Sequence, residues 1–137
     1  MPTMLAAFPL LIIPFILYNI AMVGPMAGGV DALNDTVISL SMLSGATWTL
    51  SLGDLFIVIA LALLFFEILK ATRNGSGSLI NHMLSMLVFI AFLVEFLLIQ
   101  KAATQTFFIL MTVAFLDVIG GFTISIRTAG RDVSIGL

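Results

Sequence analysis

Three carboxylates stand inside long apolar runs of this chain: Glu67, Glu95 and Asp117. An ionisable side chain costs about 2.5–3.5 kcal/mol at the centre of a membrane helix on the insertion scale, so such groups turn toward protein or water. The chemistry open to them is that of a proton or cation site, or of hydrogen bonds that hold helices together. Asp117 is the deepest. Gly121 and Ser125 follow it at steps of four and Thr128 three later, opposite the bulky Phe115, Val118 and Phe122. Small residues on one face let helix backbones approach. Asp117 therefore reads either as a hydrogen-bonded helix contact or as a proton or cation site.

Glu67 has Lys70 three residues on, within reach of an i,i+3 ion pair. It shares its helical face with Gly53, Ala60 and Ala71, which makes that face a close-packing surface. A lysine-paired group near the membrane surface is the plain reading, and a transport residue the sharper one. Glu95 follows Asn81, Ser85, Val88 and Phe92 on one face. Tyr18 and Asn19 of the first run fall at a similar depth and can hydrogen-bond to it, and Asp54 opens the second run near the same level. His82 is the single histidine. Its depth matches that of Glu67, so a Glu67–His82 pair is a candidate pH sensor, against a satisfied histidine near the membrane surface.

Other chemistry is excluded by what the chain lacks. With no cysteine there are no disulfides, thiolate metal sites or thiol nucleophiles. One histidine cannot supply a two-histidine metal site or a bis-histidine haem. The methionines, Met83 and Met86 included, are not clustered as soft-metal ligands and read as packing. The five basic residues are scattered under a net charge of −2, which disfavours nucleic acid. No H-E-x-x-H, G-x-S-x-G or P-loop occurs, and no nucleophile–base pair can be nominated. The expectation is therefore no enzyme, no metal and no cofactor, with bound lipid allowed.

The elements that carry these groups follow from composition. Hydrophobic residues make up 61% of the 137 and charged residues 9%, against about 45–50% and 25% in soluble domains. Four runs approach the ~20 apolar residues that a membrane helix needs, at about 4–23, 52–69, 79–99 and 104–126. Pro9 and Pro14 should kink the first, and Gly24-Pro25 ends it. That run lacks a basic n-region and is long for an h-region, so we read it as a retained span rather than a signal peptide. Gly24-x-x-x-Gly28 is interrupted by Pro25 and reads as loop. Asn74 to Ser78 is a flexible turn by composition.

The polar stretch between the first two runs has apolar Leu33, Val37, Leu40 and Leu43 at helical spacing behind Asp31 and Asp35. That pattern predicts a short interfacial helix over about 31–49, with Trp48 at the lipid–water boundary. The sequon Asn34-Asp35-Thr36 is read as chance. Lys70, Arg73, Arg127 and Arg131 lie on one side of the spans and only Lys101 on the other. The positive-inside rule then puts both termini and the 70–79 loop in the cytoplasm.

The run from Ser41 through Gly45-Ala-Thr-Trp48 to Asp54 resembles that of small uncharacterised bacterial four-span inner-membrane proteins. Ala71-Thr-Arg73 and Arg131-Asp-Val-Ser134 add to the likeness. The resemblance implies a bacterial inner membrane and carries over no activity and no site residue.

The resulting expectation is an all-α polytopic membrane protein, with four transmembrane helices and a short external amphipathic interfacial helix in a single domain. Its functional residues would be Asp117, Glu67, Glu95, His82, Gly121 and Ser125, as helix-packing or ion-path groups. The small-residue faces suggest an interface beyond the monomer, with copies of the chain or other membrane subunits. A non-catalytic structural or accessory subunit, or a self-assembling scaffold, is one functional reading. The other is a homo-oligomeric proton or cation channel with Asp117 on the shared axis and Glu67 or Glu95 along the path.

Overall fold

A computed structural model describes residues 8–23, 29–73 and 78–135. Among them are four α-helices: α1 (Ile12–Val23), α2 (Leu52–Arg73), α3 (Ser78–Leu98) and α4 (Gln105–Ile135). Short 3-10 turns occupy Gly29–Asn34 and Gln100–Ala102. Three helices contain stretches long and apolar enough to cross a membrane, Leu52–Thr72, Ile80–Leu98 and Gln105–Ile124. The fourth, α1, is apolar but shorter.

Proline sets where α1 begins. The first run was expected to be a kinked helix, yet helical structure starts only at Ile12, with Pro14 in the first turn. A proline there is tolerated, because the amides of the first turn have no intrahelical acceptor anyway. Phe8–Leu11 precede the helix in bent and turn conformations, and residues 1–7 lie outside the described residues. Pro25 and the Gly24–Gly28 spacing also lie outside them, as do Asn74–Gly77.

The interfacial helix over 31–49 is not formed. In its place stand the 3-10 turn Gly29–Asn34 and an antiparallel hairpin of β1 (Thr36–Ser41) and β2 (Thr47–Ser51). Two features overrode the helical spacing. The strands alternate with period two: Leu40 faces Trp48 and Ile38 faces Leu50, while Ser39 pairs with Thr49 and Ser41 with Thr47. β-branched and aromatic residues favour such cross-strand pairs. Gly45 then takes φ +94 in the connecting turn, a conformation cheap only for glycine. A register shift between Thr36 and Ile38 leaves Val37 as a bulge. Nearly all of the hairpin is exposed.

The hairpin runs directly into α2, and the junction is a capping box. Ser51 Oγ accepts from Asp54 N at 3.2 Å, and Asp54 Oδ2 accepts from Ser51 N at 3.3 Å. At the start of α4, Thr104 Oγ1 accepts from Phe107 N at 3.1 Å. Helix α4 is central and packs along both α2 and α3. Its approach to α2 is close near Gly53, where an added Cβ would lie 2.7 Å from Thr106 Oγ1. The core gathers Tyr18, Phe92, Phe107 and Leu110. Tyr18 and Phe92 meet the Phe107 ring at centroid distances of 4.8 and 5.3 Å.

Candidate functional site

Two polar clusters sit at opposite ends of the helical bundle. The first forms where α2, α3 and α4 meet and contains Glu67, Asn81, His82, Ser85 and Asp117, all buried. Glu67 is 1% exposed, so its carboxylate needs partners to offset the loss of hydration. Lys70 Nζ donates to Glu67 Oε1 at 2.9 Å, which is the i,i+3 pair expected from the spacing. The same oxygen accepts from Leu10 N at 3.0 Å. Leu10 lies just ahead of α1, and an amide there has no acceptor in its own helix. An anionic side chain from α2 therefore stands at the positive end of α1. Lys70 completes the tie by donating to Phe8 O at 2.7 Å.

The face shared by Gly53, Ala60, Glu67 and Ala71 is buried along its length. Those small residues pack inside the chain, where α2 makes its main helical contacts with α4. The face of α3 through Asn81, Ser85, Val88 and Phe92 is likewise buried.

Asp117 is 6% exposed and packs within its own chain. Glu67 and Lys70 on α2 act on it electrostatically, and Ser85 on α3 interacts with its carboxyl. The Ser85 hydroxyl nevertheless makes no hydrogen bond of regular geometry. His82 also feels the charge of Glu67, so the paired depths inferred from the sequence are matched in space. Its ring stacks on Phe122, with centroids 5.5 Å apart and planes 20° from parallel.

Gly121 makes room for that ring: an added Cβ would lie 2.6 Å from His82 Cε1 and 2.8 Å from Nδ1. The Asp117–Gly121 face is thus a packing face, as its small residues imply. It is wider than expected, because Val118 is also buried and Phe122 leans on His82 rather than away from it. The side chains of Ser125 and Thr128 lie outside the described residues.

Glu95 belongs to the second cluster. Asn19 Nδ2 donates to Glu95 Oε2 at 3.2 Å and to Phe15 O at 2.8 Å. Tyr18 lies near enough to Glu95 to feel its charge, but its hydroxyl bonds to Lys101 O at 3.0 Å and shares a 2.7 Å contact with Thr104 Oγ1 rather than reaching Glu95. Glu95 is thus separated in place from Glu67 and Asp117. It ties α1 to α3, as Tyr18 ties α1 to the start of α4.

Among the described residues no group of three or more His, Cys, Asp or Glu side chains is arranged to hold a metal ion. The sequence reading did not anticipate the bonds of Leu10 and Phe8 to α2, nor the capping role of Thr104. The Thr104 cap had a local signal, a threonine directly ahead of an apolar run, as did the capping box Ser51-x-x-Asp54, likewise not anticipated. The bonds to Phe8 and Leu10 had none, since they join residues far apart in the chain. No family model, curated protein or solved structure matches this chain.

Proposed function

We propose that the chain is a small integral membrane protein, acting as a non-catalytic structural or accessory subunit or a self-assembling scaffold in a membrane complex. The observation that carries this reading is where the charges lie. Glu67 and Asp117 are buried against side chains of their own chain. The outward surface presents Phe65, Leu87, Leu97 and Leu116, among other exposed apolar residues. Such a surface suits lipid or the apolar faces of partner helices. The basic residues support both termini on the cytoplasmic side, and the resemblance of the Ser41–Asp54 run supports a bacterial inner membrane.

A homo-oligomeric channel calls for Asp117 on an axis shared between copies. Burial of Asp117 between helices of one chain favours the structural reading over that one. Proteoliposome flux assays and native co-purification test the choice. The expected result is proton and cation flux no greater than in empty vesicles, with the chain recovered as an oligomer or with other membrane subunits. A flux that disappears in Asp117→Asn while assembly persists would overturn it.

A further inference from the structure

We propose that the junction of α2, α3 and α4 binds one small monovalent cation, of the size and hardness of Na⁺, through oxygens of Asp117, Ser85, Asn81 and Glu67. The starting point is a set of buried oxygens left without partners. Glu67 Oε2 and Asn81 Oδ1 lack a hydrogen-bond partner, and Ser85 Oγ makes none of regular geometry although it lies against the Asp117 carboxyl; the three residues are 1%, 6% and 4% exposed. Native interiors leave few such groups, and a bound water or ion is a standard reason for one. Asn81 and Ser85 stand one turn apart on the same face of α3. Ser85 meets the Asp117 carboxyl, and Asp117 in turn senses Glu67.

The orphaned atoms define the ligand. A carboxylate oxygen and an amide oxygen only accept, so both call for a positive partner or a donor. Lys70 does not meet the need, because its ammonium is directed to Glu67 Oε1 and to Phe8 O, leaving Oε2 unanswered. The charges give the valence. When Asp117 gives up its proton to a bound cation, it and Glu67 bring two negative charges against the one positive charge of Lys70, which leaves one negative charge for the cation to balance. A monovalent cation cancels it and a divalent ion would overshoot. Carboxylate, hydroxyl and amide oxygens are hard donors suited to an alkali cation. The absence, among the described residues, of a three-membered His, Cys, Asp or Glu grouping argues against a transition metal.

The test uses the full chain in lipid nanodiscs at fixed pH and chloride concentration, with sodium or choline as the cation. Radiolabelled sodium binding and thermal unfolding are followed together. Saturable, stoichiometric sodium binding is expected, with an unfolding midpoint that climbs with sodium concentration and stays flat in choline. Ser85→Ala should weaken sodium affinity about tenfold while unfolding in choline stays near wild type, and Asp117→Asn should abolish binding. Absent saturable binding, or equal stabilisation by choline, would overturn the proposal. So would stabilisation by acid with no dependence on sodium, which would make the ligand a proton. Should Asp117→Asn fail to fold, Ser85→Ala decides: unchanged sodium affinity in that variant refutes the site.

Discussion

Lys70→Met should be among the most damaging substitutions near either end of the bundle, and the structure sets its size. Removing one partner of a buried ion pair costs about 3–5 kcal/mol, because the remaining charge stays buried and uncompensated. Glu67 is 1% exposed, while the Lys70 side chain is 19% exposed and partly solvated. Glu67 would also keep its 3.0 Å bond from Leu10 N. Both facts place the expected loss at the lower end, about 3 kcal/mol. Removing the carboxylate as well, in Lys70→Met with Glu67→Met, eliminates the stranded charge. It leaves the Leu10 amide without its acceptor, which costs about 1–1.5 kcal/mol. The double variant should therefore be more stable than Lys70→Met alone by about 1.5–2 kcal/mol; because Glu67→Met alone strands the same Leu10 amide, the coupling between the sites is about 3 kcal/mol. Reversible unfolding in mixed detergent micelles, followed by circular dichroism, measures all four corners of the cycle. If Lys70→Met costs under about 1 kcal/mol, or if the two single losses simply add, the pair is not the buried tie described above.

Gly121→Ala should destabilise by about 1–3 kcal/mol, since the new methyl must displace the His82 ring from its stack on Phe122. The neighbouring Gly120→Ala, where nothing lies within 4 Å of the added atom, should change stability by no more than about 0.5 kcal/mol. The same unfolding assay separates them, and equal effects would remove the packing argument. Thr104→Val should cost about 1–2 kcal/mol, because it deletes both the cap on Phe107 N and the partner of the Tyr18 hydroxyl. Amide hydrogen exchange should then rise in the first turn of α4.

The long apolar helices were legible because twenty apolar residues in a row have few other solutions. The Glu67–Lys70 pair was legible because i,i+3 spacing alone places the two side chains together. The small-residue faces were legible too: Gly53, Ala60, Ala71 and Gly121 pack against neighbouring helices of the same chain. The hairpin was misread for a definite reason. Leu33, Val37, Leu40 and Leu43 satisfy a helical period, but Ile38, Leu40, Trp48 and Leu50 satisfy a period of two. Short apolar segments often fit both, and here turn chemistry at Gly45 and β-branched residues decided the outcome. The convergence of Asp117, Ser85 and His82 depends on how α3 and α4 rotate against each other. No local pattern encodes that rotation.

The shortness of α1 explains why acids stand inside apolar runs at all. Its 12 described residues span about 18 Å at 1.5 Å each, well short of the ~30 Å hydrocarbon layer. In the membrane proposed above, a stretch that short gains little from lipid, and other elements hold it. One end is held by Glu67 and Lys70, which bind Leu10 N and Phe8 O. The other is held through Tyr18 on Lys101 O and Thr104, and through Asn19 on Glu95. Glu67 and Glu95 are therefore accounted for by architecture, as polar anchors for α1. Asp117 is different: its described neighbours lie on α2 and α3, and anchoring α1 gives no reason for it. A buried carboxylate with no anchoring duty, beside oxygens lacking partners, is the group whose replacement should separate ion binding from stability. If Asp117→Asn leaves sodium binding intact, the excess charge of the cluster is balanced in some other way and Asp117 is packing alone.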